Sequence, residues 1–342
     1  MPRPRIAMIS RAEPNTEIIE QQLQGQDYNL ETYVCSSPGE AIEAIKGADV
    51  IIDQGVAMPR EVIQEIDAAQ AIVSFGHGFN HIDHNAATEQ GVMVVNSAGF
   101  CTEEVSNHTL MLLLACAKKL TTLDRQVKAG QWDARTRLEI MPMAPIDGQT
   151  LGLVAFGNIA RATARKAKAF GLEVIAYDPY VQPWIAKEYR VELVPSLEVL
   201  ARRSDFVSMH TPLNDETRKL VSTAFFKAMK PTAYFINTCR GPTVDEAALI
   251  QALEDGEIAG AGIDVFEVEP TPGDNPLLRF DNVTVTPHSA GASDNSRVAV
   301  QMQVGQETAR LLKGQWPMSV VNGDVRAGLS VRPAALNGWA SR

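Results

Sequence analysis

The sequence predicts an α/β fold built from two doubly wound parallel-sheet domains, and three observations carry that expectation. Short apolar runs of strand type recur along the chain, each followed by a segment with helical periodicity. At 342 residues the chain is long enough for about two domains, each with a core of its own. One stretch, Leu151 to Asp178, reads in full as strand, glycine turn, helix and second strand.

Arg5 to Ile9 is the first strand, followed by a helix from about Asn15 and a strand over Leu30 to Val34. Ser37-Pro38-Gly39-Glu40 has the form of a capping box with proline at the first helical position. It starts a helix that ends at Gly47, before the strand Asp49 to Ile52. A helix from Pro59, a strand over Ala71 to Phe75, a short helix near Asp83 and a strand over Val92 to Val95 complete this half. Repeated βα units at such spacing imply a parallel sheet with helices on both faces. The segment GHGFNHIDH, Gly76 to His84, follows a strand and so belongs at the sheet's carboxyl edge. Gly76 and Gly78 can present bare backbone N–H groups to an anion. His77, His81 and His84 are either metal ligands or loop and surface histidines. They straddle glycines, lack helical spacing and have no Cys or Glu close by, so no metal is expected.

From Cys101 to about Lys128 the sequence reads as one long helix with Val105, Thr109, Leu112, Leu113 and Cys116 on its buried face. The segment Gly130 to Gly148 has little periodicity and exposes Trp132, Met141 and Met143, as either a subunit contact or a covered surface loop.

Leu151 to Ala155 is then a buried strand, and the turn through Phe156 and Gly157 leads into a helix from Asn158. Ala160, Ala164 and Ala167 give that helix a face of small side chains that can lie close to a sheet. Gly171 ends it, and Glu173 to Tyr177 is the next strand. A glycine turn of this kind lets the backbone approach a pyrophosphate, which the helix N–H groups bind. Asp178 follows Gly157 by about 20 residues, where a carboxylate accepts hydrogen bonds from both adenosine ribose hydroxyls and repels a 2′-phosphate. NAD is therefore expected over NADP. AxGxxA replaces the usual GxGxxG, with Ala155 at the tight-turn position, and an ordinary βαβ unit without a ligand is the competing reading.

Further strands are expected at Phe206 to His210, Ala233 to Thr238, Ala259 to Phe266 and Val283 to Pro287, with a helix from Ser293 to about Lys313. Three ionisable residues each lie just beyond one of these strands: Arg240, Glu269 and His288. In open α/β sheets ligands bind outside the carboxyl ends of the strands. Hydride transfer to a 2-oxo acid creates an alkoxide, which calls for a proton donor such as His288. A carboxylate such as Glu269 would favour the imidazolium, and Arg240 can grip the substrate carboxylate through two hydrogen bonds. His210 is expected to line the cofactor crevice and Asp264 to bond the nicotinamide carboxamide. His108 reads as structural, and Cys239 as a small packed residue rather than a nucleophile.

Composition bounds the rest. A net charge of −10 argues against a general nucleic-acid or anionic-membrane surface. The four cysteines, Cys35, Cys101, Cys116 and Cys239, show no CxxC spacing and no disulfide-framework density, as in a reducing compartment. The N-terminal apolar run is too short for a signal peptide, and the longest, Leu110 to Ala117, cannot span a bilayer. A cytoplasmic protein is expected.

The stretches NTCRGPTVDEAAL, GAGIDVFEVEP and TPHSAGAS resemble the motifs of the D-isomer-specific 2-hydroxyacid dehydrogenases, together with the nucleotide segment and GHGFNHID. The resemblance runs from Arg5 to about Val325. It implies a Rossmann NAD domain over 101–291, a flavodoxin-like split substrate domain over 1–100 and 292–325, and a tail over 326–342. It makes Arg240, Glu269 and His288 the catalytic trio. By the same resemblance Gly157, Asn158, Ile159, Asp178, His210, Thr211, Pro212, Thr238, Cys239, Asp264 and Gly291 contact NAD, with Arg240 and His288 beside it. Gly76, His77 and Gly78 bind the substrate carboxylate. A homodimer built on the long helix and the following segment is implied, acting on a small 2-oxo or 2-hydroxy acid. Ser74 stands where many members have arginine, and His77 replaces a small residue. Glu269, where formate dehydrogenases have glutamine, argues against formate, and small residues Ser289 to Ala292 leave room in the pocket. The alternatives are a phosphoglycerate dehydrogenase and an NAD(H)-sensing binding protein like the C-terminal-binding-protein corepressors, which Glu103 and Glu104 resemble.

Overall fold

A computed structural model describes residues 3–133, 140–143 and 145–325. The described residues form two compact units, 3–100 with 293–325 and, within 101–292, the rest. The expected tail over 326–342 lies outside the described residues, as does the middle of the 130–148 segment.

The first unit holds five parallel strands: β1 (Arg5–Ser10), β2 (Asn29–Val34), β3 (Val50–Gln54), β4 (Ala71–Ser74) and β5 (Met93–Val95). Their order is β2-β1-β3-β4-β5, the doubly wound flavodoxin-like arrangement. Strands β1 and β3 are buried on both faces, so their sequences are continuous apolar runs rather than alternating ones. Ala7, Ile9 and Ile51 pack toward the helices Pro38–Ile45, Arg60–Gln64 and His84–Glu89. Ile6, Met8, Val50 and Ile52 pack toward Glu17–Gln22 and Asp294–Leu312, which return the end of the chain to this unit. Gly305 permits that return: a Cβ there would lie 2.7 Å from Gln22 Cβ and 3.0 Å from the Ile19 carbonyl oxygen. Beyond that helix, Val320 pairs antiparallel with Val95, and Asn322 Oδ1 accepts from Val94 N–H at 2.8 Å.

The second unit holds seven parallel strands: β6 (Thr150–Val154), β7 (Glu173–Tyr177), β8 (Glu192–Leu193), β9 (Phe206–Met209), β10 (Tyr234–Asn237), β11 (Gly260–Ile263) and β12 (Val283–Val285). Their order is β12-β11-β10-β9-β6-β7-β8, which contains the Rossmann order and adds a seventh strand at one edge. Ala160, Ala164 and Ala167 are fully buried, so the helix Asn158–Ala169 lies on the sheet by its small-residue face.

Two local expectations are corrected. The stretch Cys101 to Lys128 is not one helix but two, Thr102–Ala117 and Leu120–Lys128, because Lys119 takes a left-handed backbone, φ 50°. The first packs into the sheet core, whereas the second buries no residue. The Ser37 capping box is one-sided. Ser37 Oγ accepts from Glu40 N–H at 3.3 Å, but the Glu40 carboxylate reaches past it to Ser36 N–H and Oγ.

Candidate active site

Strand β6 is followed by Ala155, whose φ of 74° lies in the left-handed region that glycine adopts without strain. The turn is held by two bonds to the end of β7: Ala155 N–H donates to the Tyr177 carbonyl and Phe156 N–H to Asp178 Oδ2, both at 2.8 Å. Gly157 is the N-cap of Asn158–Ala169 and offers no side-chain cap. A Cβ at Gly157 would meet nothing within 4 Å, so the amino end of the helix opens onto free space. Unpaired first-turn N–H groups and the helix dipole make such an end attractive to a pyrophosphate. Asp178 Oδ1 accepts from Tyr180 N–H at 2.8 Å and Val181 N–H at 3.0 Å, which fixes the half-buried carboxylate at the rim of the turn. This cradle fits a dinucleotide.

Across β6 the ends of β9 to β12 bring the ionisable groups. His288 Nδ1 lies 2.7 Å from Glu269 Oε2, while Glu269 Oε1 accepts from Phe266 N–H at 3.0 Å. Burial works to raise the Glu269 carboxyl, yet its bonds to His288 and Phe266 N–H and the charges of His288 and Arg240 hold it below the usual carboxylate range. With Nδ1 committed to Glu269, His288 has Nε2 as the ring nitrogen that can serve another partner. Its backbone is left-handed, φ 51°, a strained conformation for histidine.

Asp264 holds that strain in place. It is fully buried; Oδ1 accepts from Thr286 Oγ1 at 2.6 Å and Ser289 N–H at 2.9 Å, and Oδ2 from Ala290 N–H at 3.0 Å. His108 Nε2 lies 2.9 Å from Thr286 Oγ1 and 3.5 Å from Asp264 Oδ1, and burial lowers its pKa against the pull of Asp264. Asp264 therefore fastens the 286–290 turn through both of its oxygens.

Arg240 follows β10, and Gly241 begins a 3₁₀ turn, Gly241–Thr243. Only a glycine fits here, because a Cβ would lie 1.8 Å from the Phe266 carbonyl oxygen and 2.6 Å from Glu267 N. The arginine loop is thus pressed against the loop that carries Glu269. Thr238 spends its hydroxyl on Thr109 Oγ1 at 2.9 Å, and burial pushes the Cys239 thiol up, consistent with an inert packed residue. Thr211 Oγ1 lies 4.0 Å from Cys239 Sγ. His210 bonds Ser208 Oγ at 2.9 Å, and dense packing around the ring lowers its pKa to about 3, so it is neutral at physiological pH although part of its surface reaches solvent.

In the first unit the Gly76–Gly78 loop follows β4. The carbonyls of Gly76, His77 and Gly78 accept from Ser97 N–H (2.9 Å), Asn96 Nδ2 (2.8 Å) and Ser74 Oγ (3.3 Å). His81 Nε2 meets Asp53 Oδ2 at 2.5 Å, and His84 stacks edge-on against Phe79. Among the described residues no three His, Cys, Asp or Glu side chains gather as metal ligands would.

Residues 110–290, more than half of the chain, match the family model for the D-isomer specific 2-hydroxyacid dehydrogenase, NAD binding domain. The chain belongs to this family. It is 38% identical to a glyoxylate reductase of Korarchaeum cryptofilum over 85% of this chain and 87% of that one. It is 37% identical to a D-3-phosphoglycerate dehydrogenase of Methanocaldococcus jannaschii, covering 83% of this chain but spanning only 53% of that protein. Among solved structures, the NADPH-dependent glyoxylate/hydroxypyruvate reductase of Sinorhizobium meliloti, in complex with NADP and malonate, superposes with a TM-score of 0.82 at 28% identity, over 95% of this chain and 98% of that one. This 2-hydroxyacid dehydrogenase is accordingly an NAD(P)-dependent oxidoreductase acting on the CH–OH group of 2-hydroxy acids.

Within the dehydrogenase's second unit, Glu269 and His288 touch, and Arg240 lies near enough for its charge to act on Glu269. Gly157, Asn158 and Ile159 stand at the open helix end, and Gly291 in the turn after His288, 3.4 Å by its Cβ position from Cys101 Sγ. Pro212 is exposed in the loop after β9. Sequence reasoning missed the Asp53–His81 pair and the Asp264–Thr286–His108 network. Both join residues far apart in the chain; the one local signal was an aspartate at the end of a predicted strand. No helix among the described residues is long and apolar enough to cross a membrane.

Proposed function

We propose that this dehydrogenase uses NADH to reduce a small 2-oxo acid, with glyoxylate the first candidate, to the D-2-hydroxy acid or its achiral equivalent. The observation that carries the reading is the 2.7 Å contact of His288 Nδ1 with Glu269 Oε2 at the ends of adjacent parallel strands. The dinucleotide supplies the hydride. His288 Nε2 gives the proton to the carbonyl oxygen, Glu269 keeps the ring charged and oriented, and Arg240 binds the carboxylate and polarises the carbonyl. The Gly76–Gly78 loop is a further carboxylate-binding element of the first unit, with His77 tuning substrate choice. Names of relatives support glyoxylate, and Asp178 supports NADH over NADPH. The test is NADH oxidation across a panel of 2-oxo acids: turnover of none would refute the reading.

The same reading includes a homodimer. What supports it is that Leu120 and Trp132, 58% and 74% exposed, and Val127 and Met141 are exposed apolar side chains on and after the helix Leu120–Lys128. A sedimentation mass of one chain at micromolar concentration would contradict it. A cytoplasmic location is proposed from the absence of cysteine pairs among Cys35, Cys101, Cys116 and Cys239, and fractionation of cells tests it.

A further inference from the structure

We infer that Asp53 and His81 form a positioning pair that clamps the Gly76–Gly78 loop for the substrate carboxylate, an inference that rests on the dehydrogenase reading above and adds residues to it. Asp53 lies at the end of β3 with no exposure. A buried carboxylate needs partners for both oxygens. Oδ1 accepts from Val56 N–H at 2.9 Å, and Oδ2 meets His81 Nε2 at 2.5 Å, so the imidazole donates from Nε2. The backbone of the same residue holds the near end of the loop, because Phe75 N–H donates to the Asp53 carbonyl at 2.7 Å. Asp53 thus grips the loop at both ends, by its main chain at Phe75 and by its side chain at His81.

Between these two points the carbonyls of Gly76, His77 and Gly78 are tied to Ser97, Asn96 and Ser74. In a trans peptide the N–H of the next residue points opposite to the carbonyl. The N–H groups of His77, Gly78 and Phe79 are therefore turned away from those three donors, the orientation an anion would use. That orientation depends on a fixed length of chain between the clamped ends. Loss of the side-chain grip leaves the far end held by main chain alone, through Met58 N–H to the His81 carbonyl at 2.8 Å and Asp83 N–H to the Met58 carbonyl at 2.9 Å, and loosens the stretch between. Carboxylate affinity should fall without loss of the hydride or proton step.

His81→Ala and His81→Gln separate this role from a merely structural one, since the glutamine amide can donate from nearly the place of Nε2. With glyoxylate and NADH, the alanine variant should raise KM for glyoxylate about tenfold with kcat within about twofold. The Kd of oxamate, the unreactive amide analogue, on the NADH complex should rise in parallel while the Kd of NADH holds; His81→Gln should restore most of the loss. A folded alanine variant with unchanged KM and oxamate Kd would overturn the inference, as would a glutamine variant no better than alanine. Should alanine fail to fold, the double variant Asp53→Asn, His81→Ala removes the buried charge together with its partner, keeps an acceptor for Val56 N–H, and should give the same split of KM from kcat. A wild type that neither reduces glyoxylate nor binds oxamate would refute the dehydrogenase reading itself; an active wild type with an indifferent variant refutes the clamp alone.

Discussion

Replacing Glu269 by glutamine should move the pH dependence of 2-oxo acid reduction to lower pH by about one unit. The carboxylate is held below the ordinary range, so in the wild type it is charged above that range and loses its charge only as pH falls through the lowered value. Throughout the neutral range its charge faces the His288 ring at 2.7 Å and favours the protonated imidazole that the proposed proton transfer calls for. Two unit charges about 4 Å apart interact by about 1 kcal/mol in water and about 4 kcal/mol at an effective dielectric of 20. The side chains are 47% and 35% exposed, so the lower figure applies. Glutamine keeps the acceptor for Phe266 N–H, and its amide then meets Nδ1 as a donor, which again disfavours the imidazolium. The assay is kcat/KM for glyoxylate from pH 5 to 9 in both proteins. A variant whose limb stays where the wild type has it would refute the pair.

Other consequences can be measured directly. His288→Ala should cut turnover by about 10²–10⁴-fold with NADH affinity within about twofold, as general acid catalysis predicts; fluorescence titration and stopped-flow rates check both. Asp178 at the ribose end should give NADH at least about tenfold higher kcat/KM than NADPH, one decade being about 1.4 kcal/mol, and equal efficiency would count against it. Ala155→Gly relieves a left-handed alanine worth about 1–2 kcal/mol but loosens the unfolded chain by about 0.4–1 kcal/mol. A melting temperature raised by about 2–4 °C is expected, and a fall would show that the alanine is not strained.

The architecture was legible because each strand is an apolar run ended by a turn residue. Arg240, Glu269 and His288 could be grouped from their place after strands alone, since a parallel sheet brings strand ends to one edge. What periodicity could not see was a single backbone angle. Nothing in the apolar pattern of Thr102 to Lys128 marks Lys119 as left-handed, and the helix breaks there. Nor did spacing reveal the partners of buried charge. The strand-end position of Asp264 suggests a ligand contact but not its protein partners, the 286–290 turn and His108 on the helix Thr102–Ala117. Spacing sets His81 beside its neighbouring histidines, whereas its partner is Asp53, 28 positions away.

The strand order of the seven-stranded sheet has a consequence for how this enzyme can change. Asp178 lies after β7 on one side of β6; Arg240, Glu269 and His288 lie after β10, β11 and β12 on the other. On the proposed reading, the choice between NADH and NADPH therefore lies on one flank of a watershed strand and the proton and carboxylate chemistry on the other. Mutations that exchange one nicotinamide carrier for another can accumulate on the β7 flank while the proton-handling flank stays under its own selection. A lineage could switch its source of reducing power without relearning its reaction.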